Sequence, residues 1–389
     1  MKKKLYNVWK HLLHALFYVF RIFPIDKEKI VFSNFDGKGF GDNPKYIAIE
    51  LKKKRSEMKM IWVVHGGADK GLPEWIRSVK LGSIRSIYEY STAGIWVDNS
   101  RKPTYIEKRK GQFYIQTWHA GIPGKKVEKD TVTQLPESWI AASKHDSEMA
   151  DCFVSNCKFA SKHFRTAFWY SGNIVEYGYP RNDILFYGDH VKEVILRNLG
   201  IKSGTKIVLY APTFRNSKKD VYDIDMHGVE KALQDRFGGE WIGLVRLHPL
   251  MTRDQFKFDK KLIDCTDYPD MYELLRIADV EITDYSSSIF EFACLQGKPA
   301  FTYGKDVEEY REERGFYYDV MELPFPFAKT NAELLSKIRS FDEAHYEMSL
   351  RAFNDEIGWY EDGNAATRIV QLIVDKVEGE TEYAQRRES

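Results

Sequence analysis

Two histidines, an arginine and a run of three serines are the residues whose types and settings suit work on a phosphoryl group. Residues 283–292 read Thr283-Asp284-Tyr285-Ser286-Ser287-Ser288-Ile289-Phe290-Glu291-Phe292. An apolar run over 278–282 precedes the serines and reads as a buried strand, and the residues from Ile289 onward read as a helix. Where a strand turns into a helix, the first backbone N–H groups have no partner inside the helix, and the helix dipole adds partial positive charge. Hydroxyls and N–H groups converging there make an anion site. Glu291 stands four residues after Ser287, on nearly the same face of the first turn, where its carboxylate can accept from ribose hydroxyls. Asp and Ser ahead of a helix also occur as plain N-caps. Three serines after a buried strand favour a nucleotide diphosphate over a cap, with Thr283, Asp284, Ser286, Ser287, Ser288 and Glu291 as the donor-binding candidates.

Arg215 closes Tyr210-Ala211-Pro212-Thr213-Phe214-Arg215 after an apolar strand over 206–210, and His248 closes the strand over 241–247. With the serines, they lie at the C-terminal ends of three strands of one expected sheet, the end that faces the ligand crevice in open α/β sheets. Arginine grips phosphate through a planar fork, and a histidine can donate to a leaving phosphate. The plainer alternatives are a surface charge for Arg215 and a backbone-bonded histidine for His248. His119 ends another strand, over 112–119, and is followed by Ala120-Gly121-Ile122-Pro123-Gly124-Lys125. A histidine so placed can act as a base near neutral pH. His65, His145 and His163 read by default as core or loop histidines.

The elements that must position these groups follow from the pattern along the chain. Its 389 residues leave room for about two domains. With 43% hydrophobic and 30% charged residues the chain is globular. A net charge of +1 excludes nucleic acid as a main partner. Aromatics at 14% suit polyol recognition and membrane-interface contact as well as an ordinary core. Cys152, Cys157, Cys265 and Cys294 show no zinc spacing and read as reduced thiols; no metal site and no cofactor is expected.

Strands are expected over 29–34, 60–65, 93–99, 112–119 and 138–143 in the first half. The second half has them over 206–210, 241–247, 278–282 and 297–303, mostly alternating with helical stretches. That is the βαβα signature of a parallel sheet. The glycine-rich loop over 35–44 lacks the spacing of a dinucleotide fingerprint. Residues 175–183 read as a boundary loop, and residues from 329 to about 375 as helical, with a polar, frayed end over 378–389. Residues 1–25 combine Lys2-Lys3-Lys4, Lys10 and Arg21 with Trp9, Leu12, Leu13, Leu16, Phe17, Phe20 and Phe23. The stretch is too short and too interrupted to span a bilayer. Basic flanks together with aromatic and aliphatic bulk favour an amphipathic helix on an anionic membrane surface over a helix packed on the domain.

Five segments together resemble the CDP-glycerol glycerophosphotransferase family, the teichoic-acid primases and polymerases of Gram-positive bacteria. They are Thr117-Trp118-His119, Gly178-Tyr179-Pro180-Arg181-Asn182-Asp183, Tyr210 to Arg215, Arg246-Leu247-His248-Pro249 and Ile282-Thr283-Asp284-Tyr285-Ser286-Ser287. Asp306-Val307-Glu308-Glu309-Tyr310 and Arg314-Gly315-Phe316-Tyr317 add to the likeness, which runs in order from about Phe32 to Tyr318. The resemblance implies two Rossmann-like domains facing across a cleft, the glycosyltransferase-B type. It implies metal-independent transfer of glycerol phosphate from CDP-glycerol to a lipid-linked or glycan acceptor, with release of CMP, on the cytoplasmic face of the membrane. His119 then becomes the base, His248 a second catalytic group, and Trp118, Gly121 and Lys125 acceptor-side residues. Ala120-Gly121-Ile122-Pro123 replaces the family's usual Gly-Thr-Pro after the histidine, which leaves the acceptor open.

The expected division is a surface helix over 1–25, an acceptor domain over 26–190, a donor domain over 191–345, and helices with a polar tail over 346–389. CDP-ribitol and a nucleotide sugar are the rival donors on this fold. The rivals of other classes are an inactive nucleotide-binding protein of an envelope-synthesis complex and a nucleotide-sugar epimerase.

Overall fold

The computed structural model describes every residue except 1, 123, 216–221, 260 and 389, and gives no side-chain account of 2–7 and 380–388. The lysines at 2–4 and Pro123, both used in the sequence reading, therefore lie outside the described side chains. The chain forms two compact units. Residues 1–121, 128–183 and 360–389 make the first, and residues 122–127 and 184–359 make the second. The sequence pattern places a boundary near 190 and sets residues from 346 aside as a separate tail. In the structure that tail is divided, because the helix Glu343–Ile357 belongs to the second unit and the helix Ala365–Glu388 to the first.

The first unit holds strands β1 (Asp26–Ser33), β2 (Lys59–Val64), β3 (Arg77–Lys80), β4 (Ala93–Asp98), β5 (Phe113–Gln116), β6 (Cys152–Val154) and β7 (Asn173–Val175). They form one parallel sheet in the order β3-β2-β1-β4-β5-β6-β7. Strand order reverses between β1 and β4, which opens a crevice at their C-terminal ends. Both faces of the central strands are covered, which is why β2 and β4 read as continuous apolar runs. Phe32, Trp62, Val97 and Ile115 pack in one core with Ile369, Val370 and Ile373 of the C-terminal helix.

The second unit holds β8 (Lys206–Tyr210), β9 (Trp241–Val245), β10 (Ile263–Asp264), β11 (Val280–Thr283), β12 (Ala300–Tyr303) and β13 (Phe327–Ala328). Its parallel sheet runs β10-β9-β8-β11-β12-β13, so the reversal falls between β8 and β11. The segments ending in Arg215 and in the three serines therefore leave the sheet on either side of its switch point, and His248 leaves it one strand further out.

Residues 138–143, expected as a strand, lie inside the helix Glu137–Met149. Pro136 occupies its N-cap with extended backbone and Glu137 opens the first turn, both helix-start signals that outweigh a short apolar run. The strand of this region is β6, whose three residues are too few for a periodicity. The polar end of the chain continues as helix to Glu388 instead of fraying from 378.

The N-terminal helix Lys2–Val19 buries Leu13 and Phe17. The indole of Trp9 donates to the Gly82 carbonyl at 3.0 Å. Val8, Leu12, Val19 and Ile22 stay exposed, Ile22 at 78%. One stripe of the segment thus packs on the unit and another faces outward. Among the described residues no helix is long and apolar enough to cross a membrane.

Candidate active site

At the rim of the first unit, His119 follows β5 by three residues. Its Nδ1 lies 2.6 Å from the backbone carbonyl of Asn99, just past β4. A carbonyl only accepts, so Nδ1 carries the ring proton and Nε2 of the neutral ring carries the lone pair. The imidazole stacks on Trp118, with centroids 4.3 Å apart, and lies 5.0 Å from the ring of Phe35. The backbone N–H of Phe35 is held by the side chain of Asn99 at 2.8 Å. Arg181 donates from Nη1 to the His119 carbonyl and to Asp42, each at 2.7 Å, and Asn43 donates to the Trp118 carbonyl.

Phe35, Asp36, Asp42 and Trp118 all have positive φ, between 42° and 57°. Left-handed backbone at residues with a Cβ costs on the order of 1–3 kcal/mol each, and such strain concentrates at functional sites. Here it lies in the loops after β1 and β5 that hold His119.

The other two residues expected on the acceptor side take different places. Gly121 packs so closely on Asn156 that a Cβ would come within 1.9 Å of its Oδ1. Lys125 belongs to the second unit, bridged to Phe316, where burial and then Arg314 lower its amine below the ordinary lysine value. It stands in the charge field of Arg215 and Asp284, among groups expected for the donor. Trp118 is buried, with the Arg101 guanidinium 5.2 Å from its ring and Phe168 edge-on.

At the rim of the second unit, Nδ1 of His248 accepts the backbone N–H of Leu250 at 3.2 Å. The proton of its neutral ring therefore sits on Nε2, the reverse of His119. Its ring stacks with Phe214 at 6.0 Å. Two residues away, Arg246 has a buried Nη1 without a partner, and burial lowers its guanidinium despite Asp270 nearby.

Arg215 was expected to offer its fork to phosphate. Every nitrogen of its guanidinium instead donates to the protein: Nε to Asp306 at 2.7 Å, Nη1 to the Thr213 carbonyl at 3.0 Å and Nη2 to Asp284 at 2.9 Å. Tyr285 and Tyr310 lie on the cation at 4.9 and 4.6 Å. Burial opposes its charge, but Asp284 and Asp306 outweigh it and hold the guanidinium above its ordinary value. In this arrangement Arg215 fixes the start of the serine turn. Asp284 also accepts the Thr213 and Tyr285 N–H groups, and Thr283 donates to the Ala211 carbonyl at 2.6 Å.

The serines divide their work. Ser287 occupies the N-cap of the helix Ser288–Gln296 and makes no side-chain capping bond, so capping does not account for it. The half-buried Ser286 places its Oγ 2.9 Å from that of the buried Ser288, which lies 2.6 Å from Oε1 of Glu281. Glu291 is buried and accepts from the Tyr272 hydroxyl. The same rim of the sheet therefore carries half-buried hydroxyls at the start of a helix after β11 and a histidine after β9, group types able to neutralise a phosphoryl group.

Asn99, Phe35, Asn43, Asp42, Arg181 and Asp306 escaped the sequence reading as site residues. For five of them a signal was present: Phe35, Asp42 and Asn43 lie in the glycine-rich loop, Arg181 in the Gly/Pro boundary segment, and Asp306 opens one of the segments that carry the family likeness.

Residues 15–375 match the CDP-Glycerol:Poly(glycerophosphate) glycerophosphotransferase family. The teichoic acid poly(glycerol phosphate) polymerase of Bacillus spizizenii is 31% identical over 395 residues, covering 96% of this chain and 100% of that one. The protein of the same name from Staphylococcus epidermidis is 32% identical over 367 residues, covering 90% of this chain but 51% of its own length. The chain thus spans one of these relatives in full and about half of the other. A structure of the wall teichoic acid polymerase TagF soaked with CDPG aligns with TM-score 0.82 and 28% identity over 97% of both chains.

Proposed function

The chain belongs to the CDP-glycerol:poly(glycerophosphate) glycerophosphotransferase family, and from that membership we propose that it transfers glycerol phosphate from CDP-glycerol in teichoic acid synthesis. The acceptor is a hydroxyl of a lipid-linked or glycan molecule, and CMP is released. The observation that carries the reading is the pair of strand-end histidines whose Nδ1 atoms face opposite main-chain partners, a carbonyl at His119 and an amide N–H at His248.

His119 takes the acceptor's hydroxyl proton on Nε2. The acceptor oxygen forms a bond to the phosphorus that bears the glycerol, and the bond from that phosphorus to the bridging oxygen of CMP breaks. Nε2–H of His248 and the serine turn stabilise the charge on the departing phosphate. Phosphoryl transfer asks for positioning and charge neutralisation more than for covalent help. Lys125 and Arg314 add positive charge on the donor side. The outward stripe of Val8, Leu12, Val19 and Ile22 rests on the cytoplasmic membrane surface, which brings a lipid-linked acceptor within reach.

The test is CMP release from CDP-glycerol, from CDP-ribitol and, in parallel, nucleotide release from nucleotide sugars, each with and without a prenyl-linked acceptor. Acceptor-dependent CMP from CDP-glycerol is the expected result. Release from CDP-ribitol alone would keep the chemistry and change the donor. Removing residues up to Pro24 is expected to abolish binding to anionic liposomes, and unchanged binding would remove the membrane contact from the reading.

A further inference from the structure

Glu281 stands in the middle of β11, the strand that delivers the serine turn. Its register partners are Leu209 of β8 and Ala300 of β12. The side chain is wholly buried, and Oε2 has no hydrogen-bond partner. Oε1 lies 2.6 Å from Ser288 Oγ, which lies 2.9 Å from Ser286 Oγ. A carboxyl, a hydroxyl and a second hydroxyl thus form one chain from the interior of the sheet to the half-buried end of the turn. A buried carboxyl held by so few donors needs a purpose, because an apolar residue would pack there at lower cost.

We propose that Glu281 is a positioning residue for the donor diphosphate, and that its state of protonation sets the direction of the hydrogen-bond chain through Ser288 to Ser286. The proposal rests on the donor reading given above. With a neutral carboxyl, Glu281 donates to Ser288, Ser288 donates to Ser286, and the Ser286 proton is left to point outward at a phosphoryl oxygen. With a carboxylate, Ser288 donates inward, Ser286 follows, and a lone pair faces the phosphate instead. The carboxyl O–H bond is the one that breaks, its proton leaves to solvent, and the two hydroxyl rotors turn over.

The surroundings set where the reversal falls. Burial raises the carboxyl to about 8, against the hydrogen bond from Ser288, and Glu291 raises it further. Glu291, on the same helix as Ser288, accepts from Tyr272 of the helix Met271–Ile277. From the helix Glu343–Ile357, the Tyr346 phenol also acts on Glu281 and bonds to the Ala300 N–H and the Lys298 carbonyl. An acid raised in this way is protonated below about 8, so the donating form of the chain prevails at neutral pH and is lost as pH rises. CDP-glycerol is esterified at both phosphates and does not itself titrate in that range.

The experiment is calorimetric binding of CDP-glycerol to the full chain between about pH 6.5 and about pH 9.5. Wild-type affinity is expected to fall about ten-fold across the window, the scale of one hydrogen bond to a charged group. Glu281→Gln keeps a donor facing Ser288 at every pH, so its affinity is expected to stay near the wild-type acid limit with no alkaline loss. Ser288→Ala breaks the chain and is expected to bind about ten-fold more weakly than wild type at the acid end, without pH dependence. An alkaline loss that persists in Glu281→Gln or in Ser288→Ala overturns the proposal and points to the Lys125 amine. Absence of CDP-glycerol binding by the wild type at every pH overturns the donor reading itself, and the relay with it.

Discussion

At the rim of the first unit, Nδ1 of a histidine donates to a carbonyl. At the rim of the second, Nδ1 of a histidine accepts an amide N–H. Both residues follow the C-terminal end of a parallel strand, and both are flanked by an aromatic ring. The residue type and the location are the same, so neither accounts for the difference. One main-chain atom at each ring does: in its neutral form His119 then has the lone pair on Nε2, whereas His248 has the proton there. The lesson is that a strand-end histidine has a definite chemical sense only once its backbone neighbour is known.

The comparison extends to buried cations. Arg101 in the first unit pairs with Asp146 at 3.1 Å and Glu128 at 3.3 Å, and Arg215 in the second pairs with Asp306 and Asp284. Arg101 also braces Trp118 next to His119, whereas Arg215 holds the start of the serine turn.

The largest expected effect is at His119, the proposed base. His119→Ala should lower kcat by about 10³-fold while CDP-glycerol binding by calorimetry stays unchanged. Equal loss of kcat and donor affinity would erase the distinction between the rims. Next comes His248. His248→Ala should cost about 10²-fold in kcat/KM, and His248→Gln, which keeps a donor near Nε2, should recover a large part of it. If Gln is no better than Ala, a donating Nε2–H is not what this histidine supplies.

Arg215→Met and Arg101→Met each leave two buried carboxylates behind. Urea denaturation should show each variant about 3 kcal/mol less stable. Only the Arg215 variant should also bind CDP-glycerol more weakly where both remain folded; equal donor binding would make Arg215 purely structural. The smallest effect is expected for Gly121→Ala, whose Cβ collides with Asn156. It should lose about 1–2 kcal/mol in thermal unfolding, with a several-fold fall in kcat and little change at the donor rim.

The sheets were legible in the sequence wherever a strand was long and covered on both faces, as in β1, β2, β4 and β9. Strands β3, β6, β7, β10 and β13, of two to four residues, were not, because none of them lies within a longer apolar run. His119, His248 and the serines were legible from their places at strand ends. Their partners were not: the Asn99 carbonyl is 20 residues from His119 and meets it only because β4 and β5 are adjacent. Arg215 was legible as a cation after a strand end, but its carboxylate partners at 284 and 306 were not, since they come from distant loops. Glu281 was visible as an acid within an apolar run, and only the fold shows that it lies beneath Ser288.

The main-chain contacts at the two rings carry a consequence for how such a protein can change. A substitution exchanges a side chain and leaves carbonyl oxygens and amide hydrogens where they were. Neighbours of either ring can therefore drift through generations of mutation without altering which nitrogen is basic and which is acidic. Exchanging the two roles would require rerouting a loop, so the division of labour is inherited with the chain path.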